Sequence, residues 1–117
     1  MKRDMGIIRG VLLALESSGD LRQVCADDET LRYHIRLAIE GGLLRGNISE
    51  YAGGYQALLN DCPITNVGHD FLDAIREDTI WRKVLTRISG VAGSVGVDML
   101  AEIAKDELRR RLGLGNP

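Results

Sequence analysis

The sequence predicts an α+β domain, with several helices around a small antiparallel sheet. Three observations lead to this prediction. Apolar residues recur at three- and four-residue spacing in several segments, as they do along one face of a helix. Two short apolar segments, 43–49 and 55–60, flank the pair Gly53-Gly54 as hairpin strands flank a turn. The resulting order of helix, strand, helix, hairpin, helix and helix is typical of an α+β plan.

The composition is that of an ordinary globular chain, because 44% of the 117 residues are hydrophobic and 27% are charged. A chain of this length fits one domain and can bury a stable core without disulfide bonds or metal ions. Only 4% of the residues are aromatic, so the core is predicted to be aliphatic and a base-stacking surface is disfavoured. The net charge of −2 gives no cationic surplus, so any DNA-binding patch must be local.

The first helix is predicted over residues 3–17, where apolar side chains form one stripe. Asp4 near its start suits the positive end of the helix dipole. Gly19 in "SSGD" is the expected left-handed cap. The next segment, "LRQVC" at 21–25, alternates apolar and polar residues and is predicted to be a short strand.

A second helix is predicted to begin at Asp27 or Asp28, either of which could serve as its N-cap, and to run to about Glu40. The pair Gly41-Gly42 ends it. Its stripe is predicted to face the core, with His34 at the edge. The members of that stripe are Leu31, Ile35, Ala38 and Ile39.

The hairpin follows, with strands over 43–49 and 55–60, and it makes a three-stranded sheet with the strand at 21–25. Thr65 or Asn66 is the expected cap of the next helix.

The third helix is predicted to begin at about Val67 and to continue to residue 88. Asp78 falls on its apolar face, so the helix either restarts there or tolerates the charge. The helical spacing of the apolar residues before and after Asp78 favours one long helix. A Gly-rich break at 89–96 separates it from a last helix over about 95–112.

The domain organisation predicted from these elements is a domain over residues 1–90 and a C-terminal helical element over 91–117. The last helix has an apolar stripe that includes Leu100, Ala104 and Leu108. In a homodimer these side chains would meet their symmetry mates. The alternative is that the same stripe packs on the chain's own first helix.

Three segments, "MKRDMGIIRGVLLALE", "YHIRLAIEGGLL" and "ITNVGHDFLDAIREDTIW", together resemble a family of short uncharacterised bacterial and phage proteins, known as a domain of unknown function. The resemblance covers most of residues 1–88. A looser similarity links the "GLL" step at 42–44, the hairpin and Thr65-x-x-Gly68 to winged-helix regulators. The resemblance implies a winged-helix-like domain with an additional C-terminal helix. The sequence departs from that pattern because the helix before the recognition helix is almost missing.

The first functional hypothesis is a non-enzymatic DNA-binding protein of phage, prophage or bacterial origin, with duplex DNA as its partner and a homodimer as its state. Arg32, Tyr33 and Arg36 on the second helix would face the duplex. The predicted phosphate contacts are Arg45, Arg109, Arg110 and Arg111. The alternative is that Glu29–Arg32 and Arg36–Glu40 pair along the helix and leave a solvated face.

The second hypothesis is a protein-interaction module on the same scaffold, such as a phage protein that binds and inhibits a host factor. The hairpin tip has no lysine or arginine but carries Tyr51 and Tyr55, and tyrosine is enriched in interfaces. The alternative is that one of these tyrosines packs back on the sheet.

Enzymatic and metal-dependent functions are not expected, and neither is a cofactor. Cys25, His34, Cys62 and His69 are zinc-type ligands, but eight and six intervening residues are not the spacing of structural zinc sites. Both thiols are predicted to be buried. His69 and Asp73 lack a nearby nucleophile, and no phosphate-binding loop or small-molecule site is evident. No secretory signal or membrane-length apolar run is present, so we expect a cytoplasmic protein with reduced thiols.

Overall fold

The computed structural model describes residues 2–89 and 96–113. Within these ranges the chain forms six helices and one antiparallel hairpin, which confirms the predicted α+β class. The elements are α1 (Met5–Glu16), α2 (Leu21–Val24), α3 (Asp28–Glu40), β1 (Leu44–Tyr51), β2 (Gly54–Ile64), α4 (Asn66–Ile75), α5 (Asp78–Ser89) and α6 (Val97–Arg111). None of the described helices is both long and apolar enough to cross a bilayer.

The sheet has two strands, and the third strand predicted at 21–25 is wrong. Leu21–Val24 form the one-turn helix α2, because the Asp20 side chain accepts the Arg22 N–H and caps it. Leu21 and Val24 are three residues apart and both pack against the core. Gly10 lets α1 approach α2 closely, since a Cβ there would lie 2.7 Å from Val24 Cγ1. A segment of five residues fits both the two-residue period of a strand and the 3.6-residue period of a helix. Packing against α1 decides in favour of the helix.

The predicted N-caps of α3 and α4 are confirmed, and α1 begins at Met5 and not at the predicted residue 3. Asp4, Asp27 and Thr65 are the N-caps of α1, α3 and α4. The left-handed residue after α1 is Ser18, with φ 58°, and not the predicted Gly19. Gly42, with φ 81°, adopts the left-handed conformation after α3 and turns the chain toward β1.

The single long helix predicted from Val67 to residue 88 is wrong, because the chain breaks between α4 and α5. The Arg9 guanidinium reaches this break from α1. Its Nη2 atom donates to the Ile75 carbonyl oxygen at 2.9 Å and to Asp78 Oδ1 at 3.0 Å. Arg9 therefore satisfies a carbonyl at the end of α4, and Asp78 begins α5.

The core is mainly aliphatic, as predicted, with Phe71 and Trp81 as buried aromatic members, and it is formed by the helices and by the entry to the hairpin. Its fully covered apolar residues are Ile8, Val11, Leu12, Ala38, Leu43, Leu72, Ala74, Ile75, Val84, Leu100 and Ala104. His34 lies inside this core and not at its edge, since only 1% of it is exposed. Its Nε2 atom accepts the Asp4 N–H at 2.9 Å, and Nδ1 lies 2.7 Å from the Thr30 carbonyl oxygen. A carbonyl only accepts, so Nδ1 carries the proton, and His34 joins the start of α1 to α3.

Helix α6 packs against α4 and α5 of the same chain. Leu100 and Ala104 have no exposed surface, and Leu108 is half-buried. A dimer through this stripe would require Leu100 and Ala104 to contact their symmetry mates. Because both side chains are buried within the same chain, they cannot make that contact while α6 is in this position. The predicted domain boundary at 90/91 and most of the Gly-rich break at 89–96 lie outside the described residues.

Candidate functional site: helix α3 and the hairpin

The hairpin lies against α3 and presents one face to it. That inner face contains the half-buried residues Ile48, Ala57 and Leu59, and Ile48 pairs with Ala57 across the strands. Gly46 permits two close approaches, because a Cβ there would lie 2.8 Å from Ile39 Cδ1 of α3 and 2.4 Å from the Leu58 carbonyl oxygen on the paired strand. The hairpin is therefore held at a fixed distance from α3.

The base of the hairpin is joined to α4 by the Thr65-x-x-Gly68 segment. The Thr65 hydroxyl donates to the Gly42 carbonyl oxygen at 2.6 Å and accepts the Gly68 N–H at 2.9 Å. A Cβ on Gly68 would lie only 2.2 Å from the Leu43 carbonyl oxygen. This motif therefore fixes the two ends of the hairpin relative to the core.

Arg36 is held by three partners within the chain. Its Nη2 atom donates to Glu50 Oε1 of β1 at 3.0 Å, and its Nε atom donates to Glu40 Oε2 at 3.3 Å. Its Cζ atom lies 4.5 Å from the centre of the Tyr55 ring. The bond to Glu50 raises the pKa of Arg36, Glu40 raises it further, and desolvation opposes both. The predicted pairing of Arg36 with Glu40 is confirmed.

Arg32 contacts the same ring, with Cζ 5.3 Å from the centre of Tyr55. Its Nε atom is buried, and it has no hydrogen-bond partner among the residues that the structure describes. The predicted pairing of Arg32 with Glu29 is not among the ion pairs found within 2–89 and 96–113. Tyr33 is half-buried and meets the His34 ring edge-on, with 5.2 Å between the ring centres.

The two tyrosines of the hairpin have different environments. Tyr55 is half-buried beneath Arg32 and Arg36. One tyrosine therefore packs back, as the alternative prediction expected, but it packs on α3 and not on the sheet. Tyr51 is 57% exposed.

The N-terminal end of α3 is acidic, because Asp27, Asp28 and Glu29 follow one another there. Asp27 Oδ2 accepts the Thr30 N–H at 2.9 Å and the Thr30 hydroxyl at 2.5 Å. The bond from the Thr30 hydroxyl lowers the pKa of Asp27, and the backbone bond lowers it further. Anionic groups suit a helix N-terminus, but they make this end of α3 unfavourable for a phosphate.

The opposite side of the hairpin, which we call the outer hairpin face, carries no charge over three rows of cross-strand neighbours. Its pairs are Asn47–Leu58, Ser49–Gln56 and Tyr51–Gly54. Leu58 and Tyr51 are each 57% exposed. In a chain that is 27% charged, six uncharged residues on one exposed face form a distinct surface.

The remaining predicted phosphate contacts lie elsewhere in the fold. Arg45 is exposed and donates to the carbonyl oxygen of Ile64 at 3.3 Å, at the base of the hairpin. On α6, Arg110 pairs with Asp106 at 3.2 Å, Arg111 pairs with Glu77 at 2.5 Å, and Arg109 is exposed. The sequence-based prediction missed Arg82 and Lys83 of α5, which lie across a groove from this end of α6. The available signal was the lack of acidic residues from 79 to 89.

The predicted thiol burial is wrong, since Cys62 is exposed and Cys25 is half-buried. His69 is also exposed. Within the described ranges, no group of three or more His, Cys, Asp or Glu side chains is placed to hold a metal ion.

The chain belongs to the family described as hypothetical protein DUF2513, whose sequence profile matches residues 2–94. An uncharacterized protein of Haemophilus influenzae is 30% identical over 119 residues, which is 96% of this chain and 99% of that protein. No solved structure matches the chain. The predicted membership of a family of unknown function is confirmed, and the family description names no activity.

Proposed function

We propose that this chain is a non-enzymatic protein-interaction module on a winged-helix-like scaffold, and that the outer hairpin face contacts the partner protein. The uncharged outer hairpin face is the observation that carries this proposal. The centres of protein interfaces are depleted of charged residues and enriched in tyrosine. Tyr51 and Leu58 supply the exposed apolar surface, and Asn47, Ser49 and Gln56 supply neutral hydrogen-bonding groups.

The scaffold part of the proposal rests on the order of the elements. Helices α1, α2 and α3 are followed by a hairpin, as the three helices of a winged helix are followed by its wing. In that comparison α3 is the recognition helix and the hairpin is the wing. A winged-helix-like fold does not determine a function, because the same scaffold carries different surfaces in different proteins.

The charges on α3 favour a protein partner over DNA. If Arg36 turned to a phosphate, it would leave Glu40, Glu50 and the Tyr55 ring. The two carboxylates would then be unpaired near the phosphate, which adds like-charge repulsion to the lost contacts. The N-terminal residues of a recognition helix contact the base edges. In α3 this end is acidic, which is unfavourable next to DNA.

Affinity capture tests the proposal, with the tagged chain expressed in a bacterium that encodes it. We expect one protein to be recovered in near-stoichiometric amount with the wild type. The double variant Tyr51→Ser/Leu58→Ser should lose it. The matched control Leu85→Ser, at an exposed apolar position on α5, should retain it. The proposal fails if no partner is recovered, or if the double variant recovers it as well as the control.

Duplex DNA binding by α3 is the second candidate, and helix α2 favours it. A two-helix DNA-reading unit needs a helix before the recognition helix, and Leu21–Val24 supply one turn at that place. Arg32, which has no ion pair among the described residues, would be the main contact. Replacing Arg32 and Arg36 with Ala should then weaken binding to a labelled duplex in an anisotropy titration, and unchanged affinity would reject this candidate.

A further inference from the structure

The charges of this chain are strongly segregated along its fold. Residues 79–89 contain three cationic side chains and no acidic ones, and residues 103–113 contain four cationic and two acidic ones. These two segments therefore have a net charge of +5. Because the whole chain has a net charge of −2, the rest of it carries −7. The positive segments belong to α5 and to the C-terminal half of α6, which pack against each other.

A groove of about 440 Å³, which we call the α5–α6 groove, lies where these two segments meet. The charges balance around its α6 side. Arg87 Nη1 donates to Asp106 Oδ2 at 2.6 Å and to Glu107 Oε1 at 3.0 Å, and Arg110 Nε lies 3.2 Å from Asp106 Oδ2. These bonds raise the pKa of Arg87 and lower the pKa of Asp106. Two cations and two carboxylates balance here, and the network holds α5 to α6.

The rim of the groove carries the excess positive charge. Arg82 and Lys83 line it from α5, and both are exposed. Neither forms an ion pair within residues 2–89 and 96–113. Thr79 and Thr86 line the same side, and the Thr86 hydroxyl donates to the Arg82 carbonyl oxygen at 2.9 Å. The α5 side of the groove therefore offers two cations and the Thr79 side chain, and Glu107, the one acidic residue of the described ranges that lines the groove, is paired with Arg87.

We propose that the α5–α6 groove binds the phosphate backbone of duplex nucleic acid. Phosphate contacts in such complexes come mainly from Arg and Lys, with hydroxyl groups in support, and Arg82, Lys83 and Thr79 supply residues of these kinds at the rim. No aromatic residue of the described ranges lines the groove, so base stacking, on which single-strand binding depends, is not provided there. The proposal goes beyond the protein-interaction function because it concerns another surface and another ligand.

Fluorescence anisotropy of a labelled random 20-base-pair duplex, titrated with the full chain at 50 and 200 mM salt, tests the proposal. The variant is Arg82→Glu/Lys83→Glu. The matched control is Lys2→Glu/Arg22→Glu, which makes the same charge change at two exposed residues outside the groove. Each phosphate contact should make the affinity fall about 3.5-fold between these salt concentrations.

We expect the wild type and the control to bind alike, and the groove variant to bind at least tenfold more weakly at 50 mM salt. The affinity of the groove variant should also fall less between 50 and 200 mM salt. If two phosphate contacts are lost, its fold-decrease in affinity should be about 12-fold smaller than that of the wild type. The neutral variant Arg82→Gln/Lys83→Gln should lie between them, and thermal melting should show all variants folded.

Absence of wild-type binding at 50 mM salt would overturn the proposal, as would equal weakening in groove variant and control. If inorganic phosphate raises the melting temperature while the duplex does not bind, the ligand is a free phosphate and the nucleic-acid assignment is wrong. The outer-face variant Tyr51→Ser/Leu58→Ser should bind the duplex like the wild type, so failure of this proposal is distinguishable from failure of the protein-interaction function.

Discussion

Replacing Gly68 with Ala tests how the base of the hairpin is fixed to the core. An alanine Cβ would lie 2.2 Å from the Leu43 carbonyl oxygen and 3.0 Å from Ile64 Cγ2. Ordinary contact begins at about 3.4 Å, so backbone must move by about 1.2 Å. Leu43 is fully buried on one side of this contact, and Phe71 and Leu72 of α4 are buried on the other. A rotamer change cannot relieve the overlap, because the nearest atom belongs to the backbone.

The expected loss of stability for Gly68→Ala follows from opposing effects. Overpacking costs about 1–3 kcal/mol, and a weakened Thr65 cap adds about 1 kcal/mol. The better helix propensity of alanine recovers at most about 1 kcal/mol. We therefore expect a net loss of about 2 kcal/mol. This corresponds to a urea midpoint lower by roughly 1 M and a melting temperature lower by roughly 8 °C.

Urea unfolding followed by circular dichroism measures this change, with Gly53→Ala as the matched control. Gly53 lies at the hairpin turn, where the nearest atom to a new Cβ is 3.6 Å away. The control should remain within about 0.5 kcal/mol of the wild type. If Gly68→Ala unfolds at the same urea concentration as Gly53→Ala, the close approach of α4 to Leu43 is refuted.

Further predictions concern the Tyr55 ring, the buried histidine and the response to acid. Tyr55→Ala should lower the free energy of unfolding by about 1–2 kcal/mol, because two cation–π contacts and a half-buried ring are lost. In urea unfolding, the exposed Tyr51→Ala is its control, and equal effects would contradict the stacking. His34→Ala should cost about 3 kcal/mol, because it leaves a cavity and the Asp4 N–H without its acceptor; a smaller loss than for Tyr51→Ala would argue against this role. Three carboxyl groups have pKa values lowered by hydrogen bonds: Glu16, Asp27 and Asp106. Their contribution is fully present above the unfolded-state pKa of about 4 and is lost as pH falls through the lower folded-state values, so the urea midpoint should be lower at pH 3 than at pH 7. An equal or higher midpoint at pH 3 would show that these bonds do not favour the folded state.

The features predicted correctly from the sequence depend on neighbours in the chain. Asp27 caps α3 through Thr30, three residues away, and Arg36 pairs with Glu40 at four-residue spacing. The hairpin is likewise marked by its own glycine pair. Such short-range patterns are readable because the interacting groups and the turn lie in one short segment.

The features that were missed depend on contacts between distant segments. Arg9 ends α4 from 66 residues away, so the sequence around Asp78 alone could not show the break. His34 can be buried because the Asp4 N–H, in a distant segment of the chain, donates to its Nε2 atom. The contacts of Arg36 with Glu50 and Tyr55 require the register of the hairpin and its position on α3. The α5–α6 groove exists only because the two helices pack together.

The most direct test of the proposed function is a titration of the captured partner protein against three forms of the full chain. The forms are the wild type, Tyr51→Ser/Leu58→Ser and Arg32→Ala/Arg36→Ala. If the outer hairpin face makes the contact, the first double variant should bind at least tenfold more weakly, and the α3 double variant should bind within about threefold of the wild type. A tenfold change costs about 1.4 kcal/mol, which is modest for two exposed interface side chains. The opposite result, with partner binding lost in the α3 variant and kept in the outer-face variant, would contradict the assignment of this surface.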